Sequence, residues 1–123
     1  MIINMNAPII LLAEDQEENR RHLAARLRDL GWSVVEFEDG LAALDAVRAG
    51  QQFDLLVTDF QMPRLNGGEL IEALRADGCK QPMIVWTALL RPPECPGANN
   101  IVSKMSGLSA VVETVNQFLT GRP

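Results

Sequence analysis

The stretch DLLVTDFQMPRLNGGELIEALRADG, residues 54–78, joins two secondary-structure signals in one unit. It opens with an apolar run over residues 54–58, which predicts a buried strand. After a polar turn, Leu70 and Leu74 recur at helical spacing, and Gly78 follows as a typical helix stop. The stretch therefore predicts a strand, a turn and an amphipathic helix in succession.

Similar short apolar runs recur along the chain, and most are followed by an amphipathic stretch. This alternation predicts an α/β domain. The runs are almost continuously apolar, which indicates strands covered on both faces and hence a parallel sheet. The five predicted strands are residues 9–13, 33–37, 54–58, 83–86 and 101–103.

Three further segments have the spacing of amphipathic helices. The first closes at Gly31 and the second at Gly50, while the last gives the strongest helical pattern. Their apolar positions are Leu23, Leu27 and Leu30, then Leu41, Leu44 and Val47, then Leu108, Val111, Val112, Val115, Phe118 and Leu119.

The connection between the last two strands breaks the alternation. It contains Pro92, Pro93, Pro96 and Gly97, which oppose a regular helix. We therefore expect the fourth crossover helix to be short or absent.

Composition limits the classes of function. The 123 residues fit a single domain over 1–123. Lys and Arg number 11 against 16 Asp and Glu, and the formal net charge of −5 disfavours binding to nucleic acid or anionic lipid. No apolar run approaches the ~20 residues of a membrane span, and residues 1–8 lack the pattern of a signal peptide. A cytoplasmic protein is expected.

Polar residues collect where the predicted strands end. Glu14 and Asp15 follow the first strand, Asp59 the third, Thr87 the fourth and Lys104 the fifth. The carboxyl ends of parallel strands share one edge, where open α/β sheets bind ligands. With the first and third strands adjacent, three carboxylates and one lysine are expected to meet.

Such a cluster favours a hard divalent cation, because crowded carboxylates are costly to ionise without one. Mg²⁺ takes one or two carboxylates and prefers phosphate oxygens at its remaining positions. A carboxylate can also attack phosphorus and form an aspartyl phosphate. We expect Asp59 to be that nucleophile, Thr87 to donate to a phosphate oxygen and Lys104 to pair with another.

These residues resemble the motifs of bacterial response-regulator receiver domains over nearly the whole chain. Glu14-Asp15 matches the acidic pair after the first strand, and the phosphoacceptor block appears as DFQMPRLNG, residues 59–67. Thr87 and Lys104 complete the set. The pair followed by Asn19-Arg20 is also similar to receivers of hybrid histidine kinases.

The resemblance implies a flavodoxin-like three-layer sandwich with strand order 2-1-3-4-5. It implies Mg²⁺ bound by Glu14, Asp15, Asp59 and the backbone carbonyl of Gln61, directly or through water. It also implies that Asp59 receives phosphate from a histidine kinase or phosphotransfer protein. The chain would be a signalling switch rather than an enzyme, with an unidentified output partner.

Three features depart from the family pattern. Met105 stands where a proline usually follows the lysine and helps to aim it, and Ile101 replaces a usual aromatic switch. The interval from Thr87 to Lys104 is short for a member with a full fourth helix. These departures predict that the switch acts through residues 88–100, as a partly mobile loop.

Two other functions remain open at this stage. A degenerate receiver would bind its partner without phosphorylation. A haloacid-dehalogenase-like phosphatase would also use an aspartate and Mg²⁺, but it needs a second Asp where this chain has Gln61. Glu14-Asp15 has a simpler alternative role as an acidic cap of the first helix.

The remaining conspicuous residues have plain structural interpretations. Cys79 and Cys95 flank the fourth strand and are expected to be free thiols out of disulfide reach. His22 is expected at the surface, and Trp32 and Trp86 are expected to pack in the core.

Overall fold

The computed structural model describes residues 7–121, which form one five-stranded sheet and four α-helices that pack on it. All strand pairs are parallel, in the order β2-β1-β3-β4-β5. The strands are β1 (Ile9–Ala13), β2 (Ser33–Phe37), β3 (Leu55–Thr58), β4 (Met83–Thr87) and β5 (Asn100–Ser103). The helices are α1 (Glu17–Asp29), α2 (Gly40–Arg48), α3 (Gly67–Ala76) and α4 (Leu108–Thr120).

Two apolar layers cover the sheet because neighbouring strand residues point to opposite faces. On one face Ile10 and Leu12 belong to a cluster with side chains of α1 and α4. On the other face Leu11 and Ala13 belong to a cluster with side chains of α2 and α3. The three-layer sandwich and the strand order expected from the sequence are both confirmed.

The fourth crossover contains no helix. Residues 88–99 run from β4 to β5 in bends, one turn and irregular backbone, and a 3-10 turn, Lys104–Ser106, separates β5 from α4. The expectation of a short or absent fourth helix is confirmed.

Element boundaries differ from the sequence prediction in small ways with local causes. Asp54 lies outside β3, and its carboxylate instead accepts a hydrogen bond of 2.7 Å from the Ile9 N–H. Leu30 lies outside α1 as its C-cap residue and is 52% exposed, so it does not belong to the buried stripe. Phe118 is also exposed, although it follows the periodicity of α4.

Within residues 7–121 no helix has the length and apolar character needed to cross a bilayer. Cys79 and Cys95 are free thiols, as expected.

Candidate functional site

The candidate site lies at the carboxyl edge of the sheet. Glu14 and Asp15 follow β1, Asp59 follows β3, Thr87 is the last residue of β4, and Lys104 follows β5. Since β1 and β3 are neighbours, the acidic residues meet as the sequence predicted. A cavity of 530 Å³ opens at this edge, lined in part by Asp15, Asp59, Gln61 and Lys104.

The three carboxylates form one cluster. Glu14, Asp15 and Asp59 each offer an oxygen within 4.8 Å of the others. Asp15 is exposed, and its carboxylate has no hydrogen-bond or ion-pair partner among the described residues. Oxygen donors at this spacing fit a hard divalent cation. Asp15 is the member whose carboxylate is fully available to one.

Glu14 differs from Asp15 because both of its oxygens are already engaged. The fully buried carboxylate pairs with Lys104 through Oε1, and its Oε2 accepts a hydrogen bond of 3.0 Å from the Gln16 N–H. Arg20 donates to the Glu14 carbonyl at 2.9 Å and so fixes the backbone. Glu14 therefore fits a metal site through water better than as a direct ligand. The hydrogen bond from the Gln16 N–H also agrees with the alternative role of Glu14 as an acidic cap at the start of α1.

The environment of Glu14 disfavours its ionised form. Burial raises its pKa from an ordinary value of 4.5 to about 7, against the lowering effects of the hydrogen bonds from Lys104 and Gln16. The neighbouring Asp59 carboxylate adds to the increase. The cluster is therefore electrostatically crowded.

Asp59 is held from two sides and is only 7% exposed. Its Oδ1 accepts a hydrogen bond of 2.7 Å from the Phe60 N–H, and its Oδ2 lies 3.2 Å from Lys104 Nζ. The following turn must stay tight, because a Cβ at Gly67 would lie 2.1 Å from the Asp59 carbonyl oxygen. The glycine of the phosphoacceptor block is thus required by close backbone approach.

Thr87 and Gln61 lie at the margins of the cluster. Thr87 is buried, and its Oγ1 accepts a hydrogen bond of 3.1 Å from the Leu89 N–H, which leaves the hydroxyl proton available for donation. Its neighbour Ala88 lines the cavity, whereas Thr87 does not. Gln61 is exposed and lines the cavity from the turn after β3.

Sequence reasoning missed one member of the site. Trp86 packs in the core, as predicted, but its ring also lies 4.9 Å from Lys104 Nζ. The signal that could have found Trp86 is its position near the end of β4, directly before Thr87. Strand alternation hides this signal, because it places the two side chains on opposite faces of the sheet. His22 is exposed, as predicted, and lines the same cavity.

The segment that follows Thr87 is anchored on α3 near its far end. Arg75 donates to the Gly97 carbonyl from Nε and Nη2 at 3.1 and 2.9 Å, and Nη2 also contacts Asn99 Oδ1 at 2.9 Å. The same Asn99 oxygen accepts from the Met83 N–H at 2.9 Å. One arginine therefore holds the loop against the sheet in the absence of a helix.

Comparison with known proteins agrees with this architecture. The family model for the response regulator receiver domain matches residues 10–116, and the chain belongs to this family. It is accordingly a receiver domain of two-component signalling.

Curated relatives include a transcriptional regulatory protein, a sensor protein and a chemotaxis protein. The chain is 32% identical over 99 residues to the transcriptional regulatory protein PcoR of Escherichia coli, covering 80% of this chain and 39% of PcoR. It is 42% identical over 79 residues to the sensor protein EvgS of Escherichia coli K12, covering 64% of this chain and 6% of EvgS. The chemotaxis protein CheY of Pseudomonas aeruginosa is 44% identical over 69 residues, which are 55% of each chain. The chain thus spans only part of each relative.

Solved structures give the same fold. The receiver domain of the Francisella response regulator 1452 matches with a TM-score of 0.82 at 23% identity, covering 90% of this chain and 95% of that one. The response regulator TrrA of Thermotoga maritima, solved in complex with Mg²⁺ and BeF, matches with a TM-score of 0.82 at 25% identity, covering 90% and 98%.

Proposed function

We propose that this chain is a phosphoryl-accepting switch in which Asp59 takes a phosphoryl group from the phosphohistidine of a histidine kinase or phosphotransfer protein. The observation that carries the proposal is the position of the Asp59 carboxylate, between the Lys104 ammonium and the acidic pair after β1. A nucleophilic carboxylate beside a fixed cation suits transfer to an anionic acceptor.

In the transfer, an Asp59 oxygen forms a bond to phosphorus while the bond from phosphorus to the imidazole nitrogen breaks. The bonding electrons leave with the donor imidazole, which takes up a proton. Lys104 neutralises charge on the transferred group, and the Thr87 hydroxyl donates to one of its oxygens. No other product is released, so the chain acts as a switch and not as an enzyme with a separate substrate.

Mg²⁺ fits the donor set of this site. Asp15, Asp59 and the Gln61 carbonyl would hold the ion directly, with Glu14 acting through water because its oxygens are engaged. When bound, the ion would offset negative charge on the carboxylates and on the phosphoryl oxygens.

The partner is a kinase or phosphotransfer protein, in line with the receiver-containing relatives EvgS and the hybrid signal transduction histidine kinase D of Dictyostelium discoideum. We further propose that residues 1–123 form one receiver domain that is cytoplasmic and binds neither nucleic acid nor membrane directly, in line with the net charge of −5.

Output is proposed to pass through the loop of residues 88–100 together with β5 and α4. Exposed apolar side chains lie along these elements, with Leu90 at 83% and Ile101 at 37% exposure. Ile101 has no aromatic ring, so it cannot act as the aromatic switch that the family usually has at this position. A change in the loop, which lies between Thr87 and Lys104, is therefore the proposed signal.

Intact-mass measurement after incubation with acetyl phosphate and Mg²⁺ tests the proposal. The wild type should gain one phosphoryl group that hydroxylamine removes, and Asp59→Asn should gain none. Asp54→Asn is the control, because Asp54 lies at the opposite end of β3, and it should label normally.

Two outcomes would overturn the proposal. Undiminished labelling of Asp59→Asn would remove Asp59 from its role. A wild type that gains no mass would instead favour a degenerate receiver that binds its partner without phosphorylation. The phosphatase alternative lacks support, because Gln61 has no ionisable group and cannot serve as the second acid and base that such a phosphatase requires at this position.

A further inference from the structure

Lys104 makes one contact that is not with a carboxylate. Its Nζ lies 4.9 Å from the centroid of the Trp86 ring. Trp86 is 4% exposed and belongs to the apolar cluster between the sheet and helices α1 and α4. The Lys104 side chain is itself only 12% exposed, so the cation meets the ring in a largely desolvated setting. Such contacts are stronger there than at open surface.

Among the described residues, the neighbours of Lys104 in the chain make no contact with its ammonium group. Lys104 opens a 3-10 turn, and the next residue, Met105, is 74% exposed. The turn is fixed through the backbone, where the Met105 N–H donates to Ser103 Oγ at 3.1 Å. No other side chain of this turn holds the ammonium group in place.

The carboxylate partners of Lys104 are the groups that change during function. Asp59 is the proposed acceptor, and Glu14 belongs to the proposed metal site. Their contacts with the ammonium group are therefore altered whenever the site is occupied. Among the described residues, the face of Trp86 is the one contact of the ammonium group that is neither the proposed acceptor nor part of the proposed metal site.

The indole N–H does not explain why a tryptophan stands here. Trp86 Nε1 is buried and has no hydrogen-bond partner among residues 7–121. A buried donor without a partner is unfavourable, and phenylalanine or leucine at this place would avoid it. The ring face, not the polar atom, is what tryptophan adds.

We propose that Trp86 is a positioning residue that holds the Lys104 ammonium toward Asp59 through a cation–π contact. Whether that contact aids phosphoryl transfer rests on the function proposed above. The contact itself does not depend on that function, so it is tested separately.

The first test is NMR of the metal-free protein. The Lys104 side-chain methylene protons, assigned by their loss in Lys104→Ala, should be shifted upfield by the Trp86 ring current. The shift should disappear in Trp86→Leu and persist, reduced, in Trp86→Phe. Trp32→Phe is the matched control and should leave it unchanged. Unshifted Lys104 protons in the wild type would overturn the contact.

The second test is the rate of labelling by acetyl phosphate with Mg²⁺. Trp86→Leu should slow labelling about tenfold and Trp86→Phe less, following the strength of the ring contact. In a Lys104→Ala background, Trp86→Leu should have no further effect, because the residue that it positions is gone. Thermal unfolding of each variant checks that the order of the labelling rates is not simply the order of the variants' stabilities.

The outcomes separate the two proposals. Equal labelling of wild type and Trp86→Leu, or full additivity with Lys104→Ala, would overturn the positioning role while leaving Asp59 as the acceptor. An unlabelled wild type with a normal ring-current shift would instead overturn the proposed function while leaving the contact intact.

Discussion

Lys104 Nζ lies 3.2 Å from Oδ2 of Asp59, although 45 residues separate the two in the chain. The contact exists because β3 and β5 end at the same edge of a parallel sheet. Asp59 is 7% exposed, so its charge is compensated locally rather than by solvent. The proposed acceptor and its cation are thus brought into contact by the fold itself.

Millimolar Mg²⁺ should raise the thermal stability of the wild type, because the ion binds the folded cluster and not the unfolded chain. At ten times its dissociation constant it should add about 1.4 kcal/mol. Asp15→Asn should abolish the effect, since Asp15 has the free carboxylate. Thermal unfolding with Mg²⁺ or EDTA measures it, and a full shift in Asp15→Asn would contradict the metal site.

In EDTA, Asp15→Asn should be slightly more stable than the wild type. The substitution removes one charge from a crowded cluster without removing a hydrogen bond. A clear loss of stability in EDTA would show that repulsion within the cluster is unimportant.

The free energy of unfolding should fall between pH 5 and pH 7 through Glu14. Its pKa is about 7 in the folded protein against an ordinary 4.5, so the folded state binds more protons in this range and loses stability as pH rises. Glu14→Gln cannot titrate and should flatten this part of the profile. Denaturant unfolding in EDTA at several pH values is the measurement, and parallel profiles would contradict the assignment.

Arg75→Ala should destabilise the protein by about 2 kcal/mol, because it leaves the half-buried carbonyl groups of Gly97 and Cys79 without their guanidinium donor. Amide exchange should increase in residues 95–99. Arg48→Ala is the control, since its ion pair with Asp77 is exposed and screened by solvent and should contribute little to stability. Equal effects of the two substitutions would contradict the anchoring role of Arg75.

Beryllofluoride with Mg²⁺, used as a phosphoryl mimic, should change the amide NMR signals of residues 88–104 most strongly away from Asp59. This segment is attached at both Thr87 and Lys104, the two groups expected to move toward the phosphoryl oxygens. Changes confined to α1 and α2 would contradict a switch in the loop.

Much of the fold follows from patterns that are local in sequence. The apolar runs locate all five strands to within about a residue, and the prolines at positions 92, 93 and 96 account for the missing fourth helix. The prediction that Asp54 belongs to β3 is wrong, because its contact with the Ile9 N–H depends on the neighbouring strand. The meeting of Asp59 with Glu14 follows from strand order alone.

Side-chain contacts between distant segments could not be predicted in this way. The sequence brings Lys104 to the three carboxylates but does not indicate that it pairs with Glu14 as well as with Asp59. It also suggests a partly mobile loop without indicating that Arg75 reaches Gly97, 22 residues away. Both contacts depend on where side chains point after the helices have packed on the sheet.

Mapping the modified residue decides whether Asp59 is the phosphoacceptor. After acetyl phosphate and Mg²⁺, borohydride reduction converts an aspartyl phosphate into homoserine, which tandem mass spectrometry locates in the peptide. We expect homoserine at position 59 alone. Homoserine at Asp15 or another acidic residue, with position 59 unchanged, would contradict it.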